Sequence, residues 1–199
     1  MIVKNPYMLY EKALDGETCS RIIDHGKSKV EKATVDGGPV KEDVRKSNIA
    51  WLTDPWLYQI VSPYVMDANK ASGWNYDVTM YESLQFTCYE PGGYYHWHSD
   101  GGSDIHSSYT KEMTNVSAKI GKIRKLSMTL NLTDPNDYEG GDLKFDTGQH
   151  NKPQYLEPPE VRTQGSIIVF PSYIPHQITP LTSGTRYSLV LWALGDPFK

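Results

Sequence analysis

From Thr79 onward, apolar and polar residues alternate along the chain, which is the pattern of a β-strand with one buried and one polar face. Leu84, for example, falls on one face of a predicted strand, and Gln85 and Thr87 fall on the other. Residues 124–132 repeat the same alternation. A chain with this period must pair its strands into sheets, so the sequence predicts a mainly β fold.

Further strands are separated by turn residues such as Pro, Gly, Asn and Asp. The predicted segments are 44–52, 141–145, 166–170 and 186–192. The helical signals lie earlier in the chain. Asp15 or Thr18 is expected to cap one helix, and Asp54-Pro55 is expected to begin a second, which Pro63 should kink or split.

Helices followed by many short strands indicate an α+β chain that is mainly β. We predict a single domain over residues 1–199, with a helical flank at 1–75 and a β core at about 79–195. Residues 101–123 interrupt the alternation. A stretch of this length without a strand pattern is interpreted as a lid loop or as disordered.

Composition narrows the classes of partner. The chain carries 20 Lys and Arg against 24 Asp and Glu, which does not favour nucleic-acid binding. No apolar run reaches the roughly 18 residues of a membrane-spanning helix, and no signal-peptide stretch is seen at the start. With only two cysteines, the expectation is a cytoplasmic protein without a disulfide framework or a membrane partner. The sequence leaves its oligomeric state open.

The polar faces of the predicted strands hold small or hydrogen-bonding side chains rather than Lys and Glu. This composition suits the lining of a polar cavity, although a face turned to open water remains the alternative. The residues concerned are Gln85, Thr87, Ser127, Thr129, Asn131 and Ser188.

A metal-ligand pattern follows one of these strands. His98 and Asp100 are two residues apart, so in a strand their side chains point the same way. With His176 from a later segment they make two imidazoles and one carboxylate, a set suited to Fe(II), Mn(II) or Zn(II) and known as the facial triad of non-haem iron oxygenases. The alternatives are an accidental pair plus a core histidine, or a ligand pair formed by His96 and His98, which share a strand face.

Arg186 lies ten residues after His176, and Ser188 shares its strand face. A guanidinium binds a carboxylate through two hydrogen bonds and cannot be deprotonated in a protein. Inside a barrel it would be costly without an anion. A dicarboxylate whose other end chelates the metal would meet that need.

These segments jointly resemble the Fe(II)/2-oxoglutarate-dependent dioxygenases, in particular the bacterial and viral members of their prolyl 4-hydroxylase-like branch. The resemblance covers residues 44–195 and rests on the segments 85–100, 124–145 and 165–192. It implies a double-stranded β-helix, or jelly-roll, with flanking helices. It also implies Fe(II), 2-oxoglutarate and O2 as cofactor and cosubstrates, with ascorbate as a candidate reductant.

The resemblance also assigns roles to individual residues. His98, Asp100 and His176 correspond to the Fe(II) ligands, and Arg186 corresponds to the partner of the 2-oxoglutarate C5 carboxylate. The expected helpers in cosubstrate binding are Ser188, Tyr89 and Asn131, the last at a position where some members have a tyrosine.

The implied reaction hydroxylates an unactivated C–H bond, with a peptidyl proline as one candidate target and a peptide or small molecule as the partner. The alternatives are the same chemistry on a free amino acid, small metabolite or modified base, a non-catalytic cupin-like binding module, and a Zn(II) hydrolase. Arg45 is a candidate substrate contact, although a surface ion pair is the preferred reading. Trp97 is expected to pack in the core.

Overall fold

The computed structural model describes residues 5–30, 44–101, 108–148 and 152–198. Two α helices occur in these ranges, α1 (Gly16–Lys27) and α2 (Pro55–Ala71). The early strands are β1 (Met8–Tyr10), β2 (Arg45–Lys46), β3 (Asn48–Leu52), β4 (Met80–Tyr81), β5 (Leu84–Tyr89), β6 (Tyr94–His98) and β7 (Ile123–Asn131). The later ones are β8 (Tyr138–Gly140), β9 (Leu143–Asp146), β10 (Tyr155–Leu156), β11 (Ile167–Pro171), β12 (His176–Ile178), β13 (Leu181–Gly184) and β14 (Arg186–Gly195).

The strands form two main antiparallel sheets. The larger has seven strands in the order β1-β11-β7-β14-β5-β3, with β4 added to β14. The smaller has five strands in the order β10-β9-β12-β6-β2, and β13 and β8 form a separate pair. This arrangement confirms the prediction of a mainly β, jelly-roll fold with N-terminal helices.

Both helices pack on the outer face of the larger sheet, because each presents an apolar side to it. Ile22 of α1 and Leu57 and Val61 of α2 are fully buried there. They meet the outward-facing apolar residues of the sheet, such as Phe86 and Met128. The opposite faces of the same strands point inward, toward the smaller sheet, where they leave room for a cavity.

The helical flank also contributes to the sheets. β1 pairs with β11, and residues 45–52 form two strands rather than the single predicted one. Ser47 separates them, after which the chain crosses between sheets, so β2 pairs with β6 while β3 pairs with β5. This crossing places Arg45 in the smaller sheet and Ile49 in the larger.

The helix starts follow the predicted signals only in part. Asp15 caps α1 by accepting a hydrogen bond from the Thr18 amide at 2.7 Å, as expected. Asp54 precedes α2 without capping it, because its carboxylate binds His25 and Lys29 instead. Pro63 does not split α2, since it lies on the exposed side, where water can satisfy the carbonyl that it leaves without an amide partner.

Candidate functional site

Strand pairing brings two histidines side by side. His98 is the last residue of β6 and His176 is the first of β12, and they are direct partners in the antiparallel register. Their rings lie 4.3 Å apart, centroid to centroid. The convergence of residues so distant in sequence is therefore a consequence of the ladder between these two strands.

Backbone carbonyls fix the orientation of both imidazoles. Nδ1–H of His98 donates to the carbonyl of His96 at 2.7 Å, and Nδ1–H of His176 donates to that of Ile174 at 3.0 Å. Because a carbonyl can only accept, each ring carries its proton on Nδ1 and leaves Nε2 as a lone-pair donor. Such bonds are typical of histidines that bind a metal.

Asp100 completes the cluster from a turn and not from a strand, because β6 ends at His98. The predicted strand geometry is therefore wrong for Asp100. Its orientation comes from Ser127, whose hydroxyl donates to Oδ2 at 2.6 Å, and from Arg124, which donates to its backbone carbonyl at 3.3 Å.

The three side chains offer ligand atoms that all lie within 4.8 Å of one another. Asp100 Oδ1 is 3.7 Å from His98 Nε2, and its Oδ2 is 3.6 Å from His176 Nε2. Two neutral imidazoles and one carboxylate fit a divalent ion of the Fe(II), Mn(II) or Zn(II) type.

Electrostatics keep this donor set in its metal-binding form. Burial is the largest cause that lowers the pKa of His98 to about 4, and the nearby His176 is the second-largest. The His98 imidazole is therefore neutral near pH 7. Burial alone would raise the pKa of Asp100, but electrostatic interactions with the neighbouring His176, His98 and Arg124, together with the Ser127 hydrogen bond, outweigh it and hold that pKa below its usual value. His98 and Asp100 therefore need no deprotonation near pH 7 to bind a cation.

Arg186 stands at the start of β14 with only 2% of its surface exposed. Its Nη1 is buried without a hydrogen-bond partner, and no ion pair among the described residues includes it. The Tyr89 ring lies 5.7 Å from the guanidinium. Gly141 makes room for it, since a Cβ there would lie 3.1 Å from the Arg186 Cδ. A buried, unpaired guanidinium indicates a place for an anion.

One cavity contains both features. Of the six polar-face residues predicted to line a cavity, Gln85, Thr87, Thr129 and Ser188 do so, whereas Ser127 and Asn131 do not. The complete set of polar or charged lining residues is Arg45, Gln85, Thr87, Tyr89, Tyr95, His98, Asp100, Thr129, His176, Arg186 and Ser188. In the sheet register Arg186 faces Tyr89, whereas Trp192, six residues later, faces Ser127, the partner of Asp100. Arg186 and the cluster therefore occupy opposite ends of the cavity.

Asn131 is not among the residues that line this cavity. Its amide nitrogen donates to the carbonyls of Thr133 and Arg162 at 2.9 and 2.6 Å, so it holds a neighbouring loop. Tyr138, which the sequence did not single out, is buried nearby with its hydroxyl unpartnered.

A β-bulge changes which residues of β6 face inward. His176 pairs with His98, but Ile178 pairs with Tyr95 and not with His96, so one extra residue is inserted. Tyr95 consequently stacks on His98 at 3.5 Å between ring centroids, while His96 is exposed. Trp97 is also exposed, at 39%, and stacks on Tyr155, which overturns the prediction of core packing.

The sequence analysis favours a surface ion pair for Arg45, and this prediction is wrong. Arg45 lines the cavity, with only 7% of its surface exposed. The cause is again the crossing at Ser47, which turns β2 into the smaller sheet beside β6. No alternation pattern in a two-residue strand could have revealed this position.

Of the predicted lid, residues 102–107 lie outside the described part of the chain. The remainder, from residue 108 onward, is fastened to Glu82 through Tyr109 at 2.8 Å and Lys119 at 3.3 Å. Glu82 also binds Arg124, which contacts Asp100. The segment is thus connected to the metal-ligand cluster.

No helix within the described ranges combines the length and apolar character that crossing a membrane requires.

Comparison with known proteins gives a family match. The family model described as "2OG-Fe(II) oxygenase superfamily" matches residues 84–194, which is more than half of the chain. A PKHD-type hydroxylase of Prochlorococcus marinus is 38% identical over 86 residues, covering 43% of this chain and 36% of the relative. One from Pseudomonas aeruginosa is 30% identical over 128 residues, covering 60% and 49%. The chain thus spans less than half the length of these relatives.

Solved structures match nearly the whole chain at low sequence identity. A Pseudomonas putida prolyl-4-hydroxylase aligns with a TM-score of 0.64 and 19% identity, covering 96% of this chain and 92% of that one. A Trichoplax adhaerens prolyl hydroxylase in complex with a hypoxia inducible factor peptide aligns with a TM-score of 0.70 and 16% identity, covering 96% and 84%. At these identities the likeness establishes a shared fold.

Proposed function

Because the chain belongs to the 2OG-Fe(II) oxygenase superfamily, we propose that it is a dioxygenase that hydroxylates an unactivated C–H bond, with a peptidyl proline as the first substrate to test. The proposal rests on one observation. A three-ligand cluster and a buried, unpaired arginine share a single polar cavity. The superfamily's cofactor and cosubstrates are Fe(II), 2-oxoglutarate and O2.

We propose His98, Asp100 and His176 as the Fe(II) ligands. Bound Fe(II) supplies the oxidative chemistry, in which decarboxylation of 2-oxoglutarate to succinate and CO2 is coupled to C–H hydroxylation. The Nδ1 hydrogen bonds of the two histidines hold Nε2 toward the ion, and Ser127 holds the carboxylate. These contacts position the ligands before any metal binds.

We propose Arg186 as the partner of the distal carboxylate of 2-oxoglutarate. Its Nη1 supplies an unused donor, and Tyr89 and Ser188, neither of which is a carboxylate, line the same part of the cavity. Two hydrogen bonds to a planar guanidinium would fix the direction of the cosubstrate and turn its other end toward the ligand cluster. The Asn131 amide nitrogen is occupied by loop carbonyls, so Asn131 is not assigned a contact.

The rival classes explain this arrangement less well. A Zn(II) hydrolase needs a metal-bound hydroxide or a general base, and it has no use for a buried guanidinium across the cavity. A cupin-like binding module could use the cluster but would not require 2-oxoglutarate. The name of the relatives, PKHD-type hydroxylases, supports a hydroxylation, and the name of the structural neighbours, prolyl hydroxylases, supports a prolyl target. The free cysteines Cys19 and Cys88 support a cytoplasmic location.

Calorimetry tests the proposal directly. We expect 2-oxoglutarate to bind in the presence of Mn(II), a redox-inert stand-in, and to give succinate when Fe(II), O2 and ascorbate are supplied. His98→Ala should lose both properties. The matched control is His96→Ala, an exposed histidine two residues away on the same strand, which should keep them. Absence of binding heat, or equal behaviour of the two variants, would refute the assignment.

A further inference from the structure

A second arginine shares the cavity with Arg186 and has no role in the proposed chemistry. Arg45 donates from Nε to the Ser47 hydroxyl at 2.7 Å and from Nη2 to the Gln85 side-chain oxygen at 2.9 Å. A longer contact of 3.4 Å reaches Thr87. Every one of these partners is neutral.

The charge of Arg45 is therefore uncompensated within the part of the chain that the structure describes. None of the ion pairs in those ranges includes it, and no hydrogen bond there engages its Nη1. Only 7% of its surface is exposed, so water cannot screen the charge fully. A buried guanidinium with a free donor edge invites an anion.

Arg45 lies toward the metal-ligand end of the cavity. Its guanidinium lies 4.9 Å from the ring centroid of Tyr95, which stacks on His98. Its partner Gln85 is four residues from Tyr89 on β5, a distance of about 13 Å along a strand, whereas Tyr89 is the register partner of Arg186. Thr87, the other Arg45 contact on β5, is two residues from Tyr89, or about 7 Å along a strand. The two arginines therefore reach the cavity from different points along β5.

The charges of the loaded site leave Arg45 without a counterion. Fe(II) and Arg186 together carry three positive charges, and Asp100 with doubly ionised 2-oxoglutarate carries three negative ones. Arg45 adds one more positive charge, close to where the substrate must approach the ligand cluster. A neutral substrate would leave that charge buried and unpaired.

We propose that Arg45 binds a carboxylate of the substrate, so that the enzyme takes substrates that present a carboxylate close to the hydroxylated carbon. This inference rests on the proposed function. The carboxylate could come from the free C-terminus of a prolyl compound or from an acidic side chain next to the proline. The two sources share the same chemistry and are separated by the choice of probe.

Two pairs of probe compounds test the proposal, and within each pair the two members differ in whether they carry the carboxylate or the corresponding amide. N-acetyl-L-proline and N-acetyl-L-prolinamide test a terminal carboxylate, and capped peptides with Pro-Glu or Pro-Gln test an acidic side chain. Each is titrated calorimetrically into the protein with Mn(II) and 2-oxoglutarate, and hydroxylation is followed with Fe(II) as a gain of 16 mass units. We expect the carboxylate member of at least one pair to bind at least roughly tenfold more tightly than its amide.

Variants assign that preference to Arg45. Arg45→Gln should erase it, whereas Lys46→Gln, which removes an exposed charge from the next residue, should keep it. Gln85→Glu places a carboxylate on the same guanidinium. It should raise the melting temperature of the metal-free protein and remove the preference, which keeps the test decisive if Arg45→Gln does not fold.

Three outcomes would overturn the inference. The first is equal binding of the carboxylate and the amide within both pairs, including no binding at millimolar concentration, and the second is a carboxylate preference that survives Arg45→Gln. The third is a loss of 2-oxoglutarate affinity in Arg45→Gln that matches the loss for the probes, which would assign Arg45 to the cosubstrate. Failure of the proposed function looks different. In that case 2-oxoglutarate gives no binding heat in the unmodified protein, whatever the probes do.

Discussion

Two arginines near the cavity have opposite surroundings. Arg124 donates to both carboxylate oxygens of Glu82, at 2.6 and 3.0 Å, and its guanidinium lies 4.0 Å from the Trp192 ring centroid. Arg186 has neutral neighbours and an unpartnered Nη1. The pKa of Arg124 is raised because Glu82 outweighs the effect of burial, whereas Arg186 has no such partner among the described residues.

The contrast separates a structural arginine from a ligand-binding one. A guanidinium that already has its carboxylate stabilises the fold without a ligand, and removing either partner leaves a buried charge unpaired. A guanidinium without a carboxylate destabilises the empty protein and gains a partner only when an anion binds. Substitutions at the two kinds of site should therefore change the free energy of unfolding of the empty protein in opposite directions.

The largest effect is expected at Glu82, the acid of the paired group. Glu82→Ala leaves Arg124 and Lys119 without this counterion and removes a hydrogen bond from the Tyr109 hydroxyl. We expect the free energy of unfolding to fall by about 3–5 kcal/mol, measured by chemical denaturation. Glu139→Ala, at an exposed position, is the control and should change it by less than about 0.5 kcal/mol. If Glu82→Ala lowers the free energy of unfolding by less than about 1 kcal/mol, Arg124 and Glu82 do not form a structural pair, and the distinction between Arg124 and Arg186 fails.

Arg186→Met should act in the opposite direction on the empty protein. Replacing an unpaired buried charge by an apolar side chain of similar length is expected to leave the free energy of unfolding unchanged or to raise it. The same variant should lose at least about 2 kcal/mol of 2-oxoglutarate binding, roughly thirtyfold in Kd, by calorimetry with Mn(II). If it unfolds the protein, Arg186 is structural, and the comparison fails.

Much of this arrangement could be predicted from the sequence, because it depends on period and spacing. The alternation around Gln85 and Thr87 correctly predicted a polar cavity face. His98, Asp100 and His176 were also predicted as a metal-ligand set, from the His-x-Asp spacing and from the family resemblance of the segments that carry them, and the structure brings the three side chains together.

The remainder depends on departures from regular strands, which leave no periodic signal. The bulge in β6 exchanges His96 for Tyr95 on the inner face. The crossing at Ser47 buries Arg45. Asp100 lies in a turn, where its direction is set by the tertiary contact with Ser127. Each is a single-residue event that only the assembled sheets reveal.

The smallest effect should appear in the pH dependence of stability. Burial alone would raise the pKa of Glu82, but the hydrogen bonds and charge of Arg124, with Lys119 and Tyr109, hold it below the usual value. Because the pKa is lower in the folded than in the unfolded state, the stabilisation is complete above the unfolded pKa of about 4.3 and declines as the pH falls below it. Glu82→Gln removes this titration while other carboxylates, such as Asp100, remain. We therefore expect the stability difference between the parent protein and Glu82→Gln to shrink from pH 6 to pH 3. A constant difference would show that Glu82 and Arg124 do not form a charged pair in the folded protein.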